Sequence, residues 1–234
     1  MQATDFEFRQ RWWCFGIICG VSYSFLAFDH VPAGARAADG LMAWTHWPES
    51  LALHVVFGAA AALMCFAALF RTWGSAYLGR TVVHDAAVHG EALRADGPYR
   101  HVRNPLYFGN VLMSVAMGSV APVIGFVVMV AAMIVFNYRL IGREEPVLEA
   151  EHGDRYRAYV HAVPRLWPSI RARIPASGGT PDWINGVSAE AFFWSFALGL
   201  AAFAATLNIL WFYAGLVASP ALSWLAGVVL KPKA

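Results

Sequence analysis

The 234-residue chain is 59% hydrophobic and 15% aromatic, with only 14% charged residues and a mean hydropathy of +0.50. A soluble domain carries nearer a quarter charged residues, so this composition excludes an ordinary water-soluble fold and points to an integral membrane protein. A net charge of +2, with no basic run interleaved with aromatics, excludes nucleic acid as a partner.

The apolar residues gather in segments 12–28, 51–70, 106–120, 121–141, 191–213 and 214–230. A bilayer crossing takes about 20 residues, with about 17 as the lower limit. The second, fourth and fifth segments clear that length. The first and last are marginal, and the third is short enough to need its neighbours. Pro122 separates the third from the fourth, as expected for the turn of a helical hairpin. The expected fold is all-α: a polytopic membrane helix bundle of about six transmembrane segments, including that hairpin, with a polar loop region on the cytoplasmic side. Arg9, Arg11, the first apolar stretch and Ala35-Arg36-Ala37 also resemble a cleavable signal peptide; we read the stretch as a retained helix.

Arginine and lysine placement supports this division. Arg9 and Arg11 precede the first segment, and Arg36 stands alone between the first and second. Arg71, Arg80, Arg94, Arg100 and Arg103 fill the next connection. Arg143, Arg155, Arg157, Arg165, Arg171 and Arg173 follow the fourth segment, and Lys231 and Lys233 end the chain. If every segment crosses, all rich clusters share one face, which the positive-inside rule makes cytoplasmic together with both termini. Residues 29–50 then lie on the far side. The pattern fits a bacterial inner membrane, and an endoplasmic-reticulum membrane would give the same one.

Cys14, Cys19 and Cys65 sit inside apolar segments at spacings of no metal or redox motif, so they read as small hydrophobes. In the connection 71–103, Gly74, Gly79, Gly90 and Gly97-Pro98 predict irregular backbone. His84, Asp85, His89 and Glu91 invite a metal reading, but histidines five apart do not share a helix face and no cysteine supports them. No metal is expected.

The connection after the fourth segment places Asn137, Tyr138 and Arg139 at the cytoplasmic end of that helix, with Glu144 and Glu145 about one turn further. Pro146 is expected to interrupt it, with a new helix from Val147 to Gly153. Tyr156 and Tyr159, three apart, share a face, and Pro164 ends the helical stretch. Alone, this segment reads as an amphipathic interfacial helix with its tyrosines at the interface. The hairpin changes that reading, because it returns Arg103-Asn104 and Glu144-Glu145 to one membrane face. Basic, amide and acidic groups converging there predict a polar ligand cavity between helices.

Gly97, Pro98, Tyr99, Arg103, Pro105, Tyr107 and Gly109, followed by Glu144, Glu145, Gly153, Tyr156, Tyr159, Val163 and Pro164, resemble in order and spacing the isoprenylcysteine carboxyl methyltransferase and phospholipid methyltransferase superfamily of integral membrane enzymes. The resemblance covers roughly residues 71–167. Asn104 stands where those proteins usually have histidine, and His152 replaces a common phenylalanine. Asparagine donates and accepts hydrogen bonds but does not titrate.

The resemblance implies a membrane-embedded methyltransferase that uses S-adenosylmethionine, held between the helices and the cytoplasmic tail. No G-x-G-x-x-G follows a predicted strand, so no Rossmann domain is expected. Carried over by position, the cofactor-binding set is Tyr99, Arg103, Asn104, Pro105, Tyr107, Gly109, Glu144 and Glu145. In this set Gly109 would let a ligand approach the helix backbone, and the glutamates would offset the sulfonium charge. Arg103, Arg139 and Glu145 are the candidate catalytic residues, the arginines acting as fixed charges beside an anionic acceptor. The expected acceptor is a lipophilic or small molecule with a thiol, carboxylate or amine, and membrane lipid is an expected partner.

Residues 1–180 would then form the methyltransferase core, with residues 181–234 as an additional C-terminal transmembrane hairpin. No chemistry is inferred for that hairpin; packing or homo-oligomerisation is its expected use. Two other functions compete. A sterol-reductase-like, NADPH-dependent membrane enzyme shares an Arg-His-Pro-x-Tyr motif, but there the motif usually follows Gly-Trp. A non-catalytic membrane protein would fail to bind S-adenosylmethionine.

Overall fold

A computed structural model describes residues 2–78 and 95–230, and within them the chain is all-helical with no strand. The first turn, α1 (Asp5–Arg9), starts on a capping box in which Thr4 and Glu7 satisfy each other's backbone N–H groups. α2 (Arg11–Ser24) and a 3₁₀ turn (Phe25–Ala27) make up the first apolar segment. They are followed by α3 (Ala33–Thr45), α4 (Glu49–Leu78), α5 (Pro105–Gly118), α6 (Val123–His152) and α7 (Asp154–Ala162). α8 (Trp183–Ala189), α9 (Ala191–Thr206) and α10 (Leu210–Val229) complete the chain.

Backbone contacts define two ends of the bundle. At one end, Ala33 N and Gly34 N donate to Ala121 O and Ser119 O, so the start of α3 lies against the turn joining α5 to α6. His54, near the start of α4, hydrogen-bonds Ala204 O near the end of α9 at that same end. At the other end, Ala3 N donates to Arg139 O and Arg103 N to Pro164 O. This second end gathers the arginine-rich segments. The core between them is built on Met64, Met117, Met129 and Met133 with Phe193, Phe203 and Leu200, residues whose shapes fill irregular gaps between crossing helices.

α4, α6 and α10 are each long and apolar enough to cross a membrane, and α8 with α9, bent by 67°, counts as a fourth if taken as one broken span. α2 and α5, at 14 residues each, are shorter than a crossing helix. Ile124 and Val127 on α6, Phe66 and Leu69 on α4, and Val217 and Trp224 on α10 are exposed. Apolar faces of that extent suit lipid, not water.

Several boundaries depart from the sequence reading. The far connection 29–50 contains α3, whose Gly34 and Ala38 are buried. α4 continues through Arg71 to Leu78, so Arg71 lies inside a helix and not in a loop. α6 runs unbroken through Pro146. Proline removes one hydrogen bond from a helix, and here Glu145, the residue before it, is anchored by two arginines that hold the turn. The last two segments divide at Leu207–Ile209 and not after Tyr213: Leu207 is left-handed (φ 53°), and Asn208 accepts from Leu210 N at 3.0 Å to start α10. The helix 154–162 follows Gly153, which supplies the positive φ of 53° needed to turn out of α6. Its Tyr156 and Tyr159 do share a face, but they are buried and not interfacial. Residues 84–91, where a metal reading was weighed, lie outside the described residues.

Candidate active site at the mouth of the hairpin

Pro105 opens α5 at its first turn, where a missing N–H is harmless. Directly before it, Arg103 is fixed from two sides. Its Nε and Nη2 donate to Glu145 Oε1 at 3.0 and 2.8 Å, and its Nη1 donates to Val160 O and Val163 O, each at 2.8 Å. The guanidinium therefore closes the carboxyl end of α7, a favourable place for a cation. The second oxygen of Glu145 is held by Arg165. Both Glu145 oxygens are thus in ion pairs, and the Arg103 and Glu145 side chains are only 8% and 12% exposed.

Glu144 has a different neighbourhood. It accepts a 2.6 Å hydrogen bond from Tyr107 Oη, a neutral donor. Asn104 donates through Nδ2 to Arg165 O at 2.9 Å, tying the start of α5 to the segment after α7. Tyr99 is buried, and its carbonyl accepts from Tyr159 Oη at 2.8 Å; burial pushes the Tyr159 phenol well above its ordinary pKa. The Asp96 carboxyl is held below its usual range, first by the Ser177 hydroxyl and then by the backbone N–H groups of Ser177 and Gly179.

Two expectations change here. Gly109 does not open α5 to a ligand: the space a Cβ would take is filled by the Arg71 side chain. Arg139 is engaged by the N-terminus, its Nη2 donating to Glu7 Oε2 at 2.6 Å, while Arg143 pairs with Asp5 at 2.5 Å. The Arg139 Nε is buried and has no hydrogen-bond partner among the described residues.

Tyr107, Glu144, Glu145, Arg103 and Asn104 thus come together at one mouth, with Tyr99 behind them and Pro105 shaping the turn. Sequence reasoning passed over Arg165, which appeared only in the charge tally. It also passed over Glu7, Arg71, Asn110 and Glu190. Arg71 Nε donates to Glu190 Oε2 at 2.6 Å, with both residues buried. A lone acidic residue at the head of an apolar segment was the available signal for Glu190. Beside the mouth, Phe70, Phe108 and Trp167 stack edge to face, with Phe108 in contact with both others. Among the described residues no cluster of metal ligands occurs.

The open end of the hairpin thus gathers acidic, basic, amide and phenolic groups at the arginine-rich end of a helical membrane bundle. The sequence model of the phospholipid methyltransferase family matches residues 54–155. That segment, from α4 to the start of α7, is similar to the phospholipid methyltransferases, a family whose members are membrane methyltransferases. Comparison with curated proteins and with solved structures returns no match.

Proposed function

We propose that the protein transfers a methyl group from S-adenosylmethionine to a lipophilic acceptor at the membrane surface. The observation that carries this reading is the contrast within the glutamate pair. Glu145 is neutralised by guanidinium groups on both oxygens, whereas Glu144, the next residue, takes its hydrogen bond from the phenol of Tyr107 and has the charge of Arg11 nearby. The donor set fits the cofactor, which presents an ammonium, a sulfonium and a carboxylate. Glu144 suits the cationic groups, and the unpartnered buried N–H of Arg139 suits a carboxylate.

When bound, S-adenosylmethionine supplies a methyl group already activated by its sulfonium. The chain's own residues then have to orient, dehydrate and neutralise. Glu144 holds positive charge at the mouth, and Tyr107 fixes the carboxylate's direction. Arg103, Glu145 and Arg165 act as a clasp that keeps the segment 160–165 against the start of α5. Phe108, Phe70 and Trp167 offer an apolar rim suited to an acceptor that partitions into lipid. The phospholipid methyltransferase family makes a membrane lipid the first acceptor to try. We place the arginine-rich end in the cytoplasm with both termini, and we count six crossings, with α2 and α5 completed by their flanking turns.

The test is purified full-length protein in lipid nanodiscs, incubated with methyl-labelled S-adenosylmethionine and a membrane lipid extract. Labelled lipid should form, and Glu144→Gln should lower cofactor affinity or turnover about tenfold or more, the effect of losing one charge-assisted interaction. Wild-type protein that neither binds the cofactor nor labels any lipid would overturn the reading, and NADPH consumption would replace it with the reductase.

A further inference from the structure

We infer that Glu190, outside the family segment, is a positioning residue for this methyl-transfer site, acting through Arg71 and two asparagines; the inference rests on the methyltransferase reading above. Glu190 is fully buried and Arg71 is 4% exposed. Arg71 Nε and Nη2 donate to the two Glu190 oxygens at 2.6 and 3.2 Å, and Ser75 Oγ donates to Oε1 at 2.5 Å. The guanidinium also lies 3.8 Å from the centroid of the Phe193 ring. Stability alone does not account for such a pair, because two buried charges rarely outdo two well-packed apolar side chains of similar volume.

The remaining bonds of Arg71 lead to the site. Its Nη1 donates to Leu106 O at 2.8 Å and to Asn110 Oδ1 at 2.6 Å, both on the first turns of α5. Asn110 Nδ2 donates to Asn137 Oδ1 at 3.3 Å, and Asn137 Nδ2 donates to Tyr107 O at 3.1 Å. The carbonyls of two consecutive residues, Leu106 and Tyr107, are therefore held by a chain of side chains that begins at Glu190. Tyr107 is the residue that presents its hydroxyl to Glu144. Gly109 completes the arrangement, since any side chain there would displace Arg71. The C-terminal hairpin thus sets the position of the site's Tyr107 from the opposite side of α5. Small misplacements of such groups are expensive in rate.

The experiment compares wild type with Arg71→Met/Glu190→Met, full-length in nanodiscs, by thermal melting, S-adenosylmethionine affinity, and kcat and KM for lipid labelling. Removing both charges together avoids a stranded ion, so the double variant should melt cooperatively like wild type. Its cofactor affinity or kcat should nonetheless fall about tenfold, because the bonds to Leu106 O and Asn110 are gone. A folded double variant with wild-type affinity and kcat would overturn the inference and leave the pair as a staple. Should the double variant not fold, Asn110→Ala gives the same reading with the ion pair intact: a similar loss supports the inference and wild-type kinetics overturn it. Wild-type protein that binds no cofactor would instead sink the methyltransferase reading, and this inference with it.

Discussion

Glu145 and Glu144 are neighbours in sequence with opposite physical situations, and substitution should separate them. Glu145→Ala strands Arg103 and Arg165 at a site where the Arg103 side chain is 8% exposed. Breaking a buried pair from one side costs about 3 kcal/mol or more, so the variant should show a lowered melting temperature before any kinetic effect is read. Glu144→Gln keeps the volume and the Tyr107 bond and should melt as wild type. Glu7 gives a pH dependence. Its carboxyl is lowered from 4.5 to about 2, chiefly by the hydrogen bond from Arg139. A lowered carboxylate contributes stability that is fully present above its ordinary pKa and lost as pH falls toward the folded value. The docking of α1 should therefore weaken between pH 4.5 and 2, read by the fluorescence of Trp12 and Trp13, and Glu7→Gln should flatten that titration. Because Glu7 is 28% exposed, solvent screening keeps the effect small.

At the scale of elements, the breaks between helices follow local chemistry more closely than hydropathy. The run 191–230 is apolar throughout apart from a few short polar groups, and the turn falls where Thr206 and Asn208 can serve the backbone. Thr206 Oγ1 accepts from Asn208 N at 3.2 Å, and Asn208 Oδ1 accepts from Leu210 N at 3.0 Å. Asn208→Ala should destabilise the α9–α10 turn by about 1 kcal/mol, as for other lost caps. Equality with wild type in a denaturant or thermal melt would show that the crossing of α9 and α10 fixes the turn unaided. Pro146 illustrates the reverse case, a residue that usually ends helices but is carried through one. The α6 backbone there is gripped at Glu145 by Arg103 and Arg165, and α7 packs back against it. Pro146→Ala should thus leave the fold unchanged and raise the melting temperature.

For the whole molecule, the decisive feature is that the C-terminal hairpin is wedged onto the family segment and not appended to it. α9 packs along α4, Trp194 Nε1 donates to Thr72 Oγ1 at 3.0 Å, and Glu190 neutralises Arg71. A chain ending at residue 180 would bury Arg71 without a counter-charge, a loss of about 3–5 kcal/mol, and would strip the apolar cover from α4. Such a truncation should fail to give a monodisperse folded species in size-exclusion chromatography, whereas an independent core of residues 1–180 would survive it. Orientation is testable at the same scale. Single cysteines introduced as Arg155→Cys and Asp39→Cys should label from opposite sides of the membrane; labelling from one side would reverse the positive-inside assignment.

Composition and spacing were sufficient for the class of fold, the helical hairpin around Pro122, and the return of Arg103-Asn104 and the glutamate pair to one end of the bundle; the resemblance added Tyr107. These are legible because a bilayer demands long apolar stretches, and because a hairpin returns its two polar ends to one face. What the individual groups do there was decided by tertiary structure. Glu145 is saturated by Arg165 from 20 positions away, Arg139 is claimed by Glu7 132 positions away, and Arg71 is drawn into the bundle by Glu190 119 positions away. Arg71 and Arg165 read in sequence as two more basic residues on the cytoplasmic side, and Arg139 reads as a fixed charge beside the acceptor. A charge is visible in a sequence, but the partner that neutralises it, and so whether it remains free to meet a ligand, is set by which helices pack against each other.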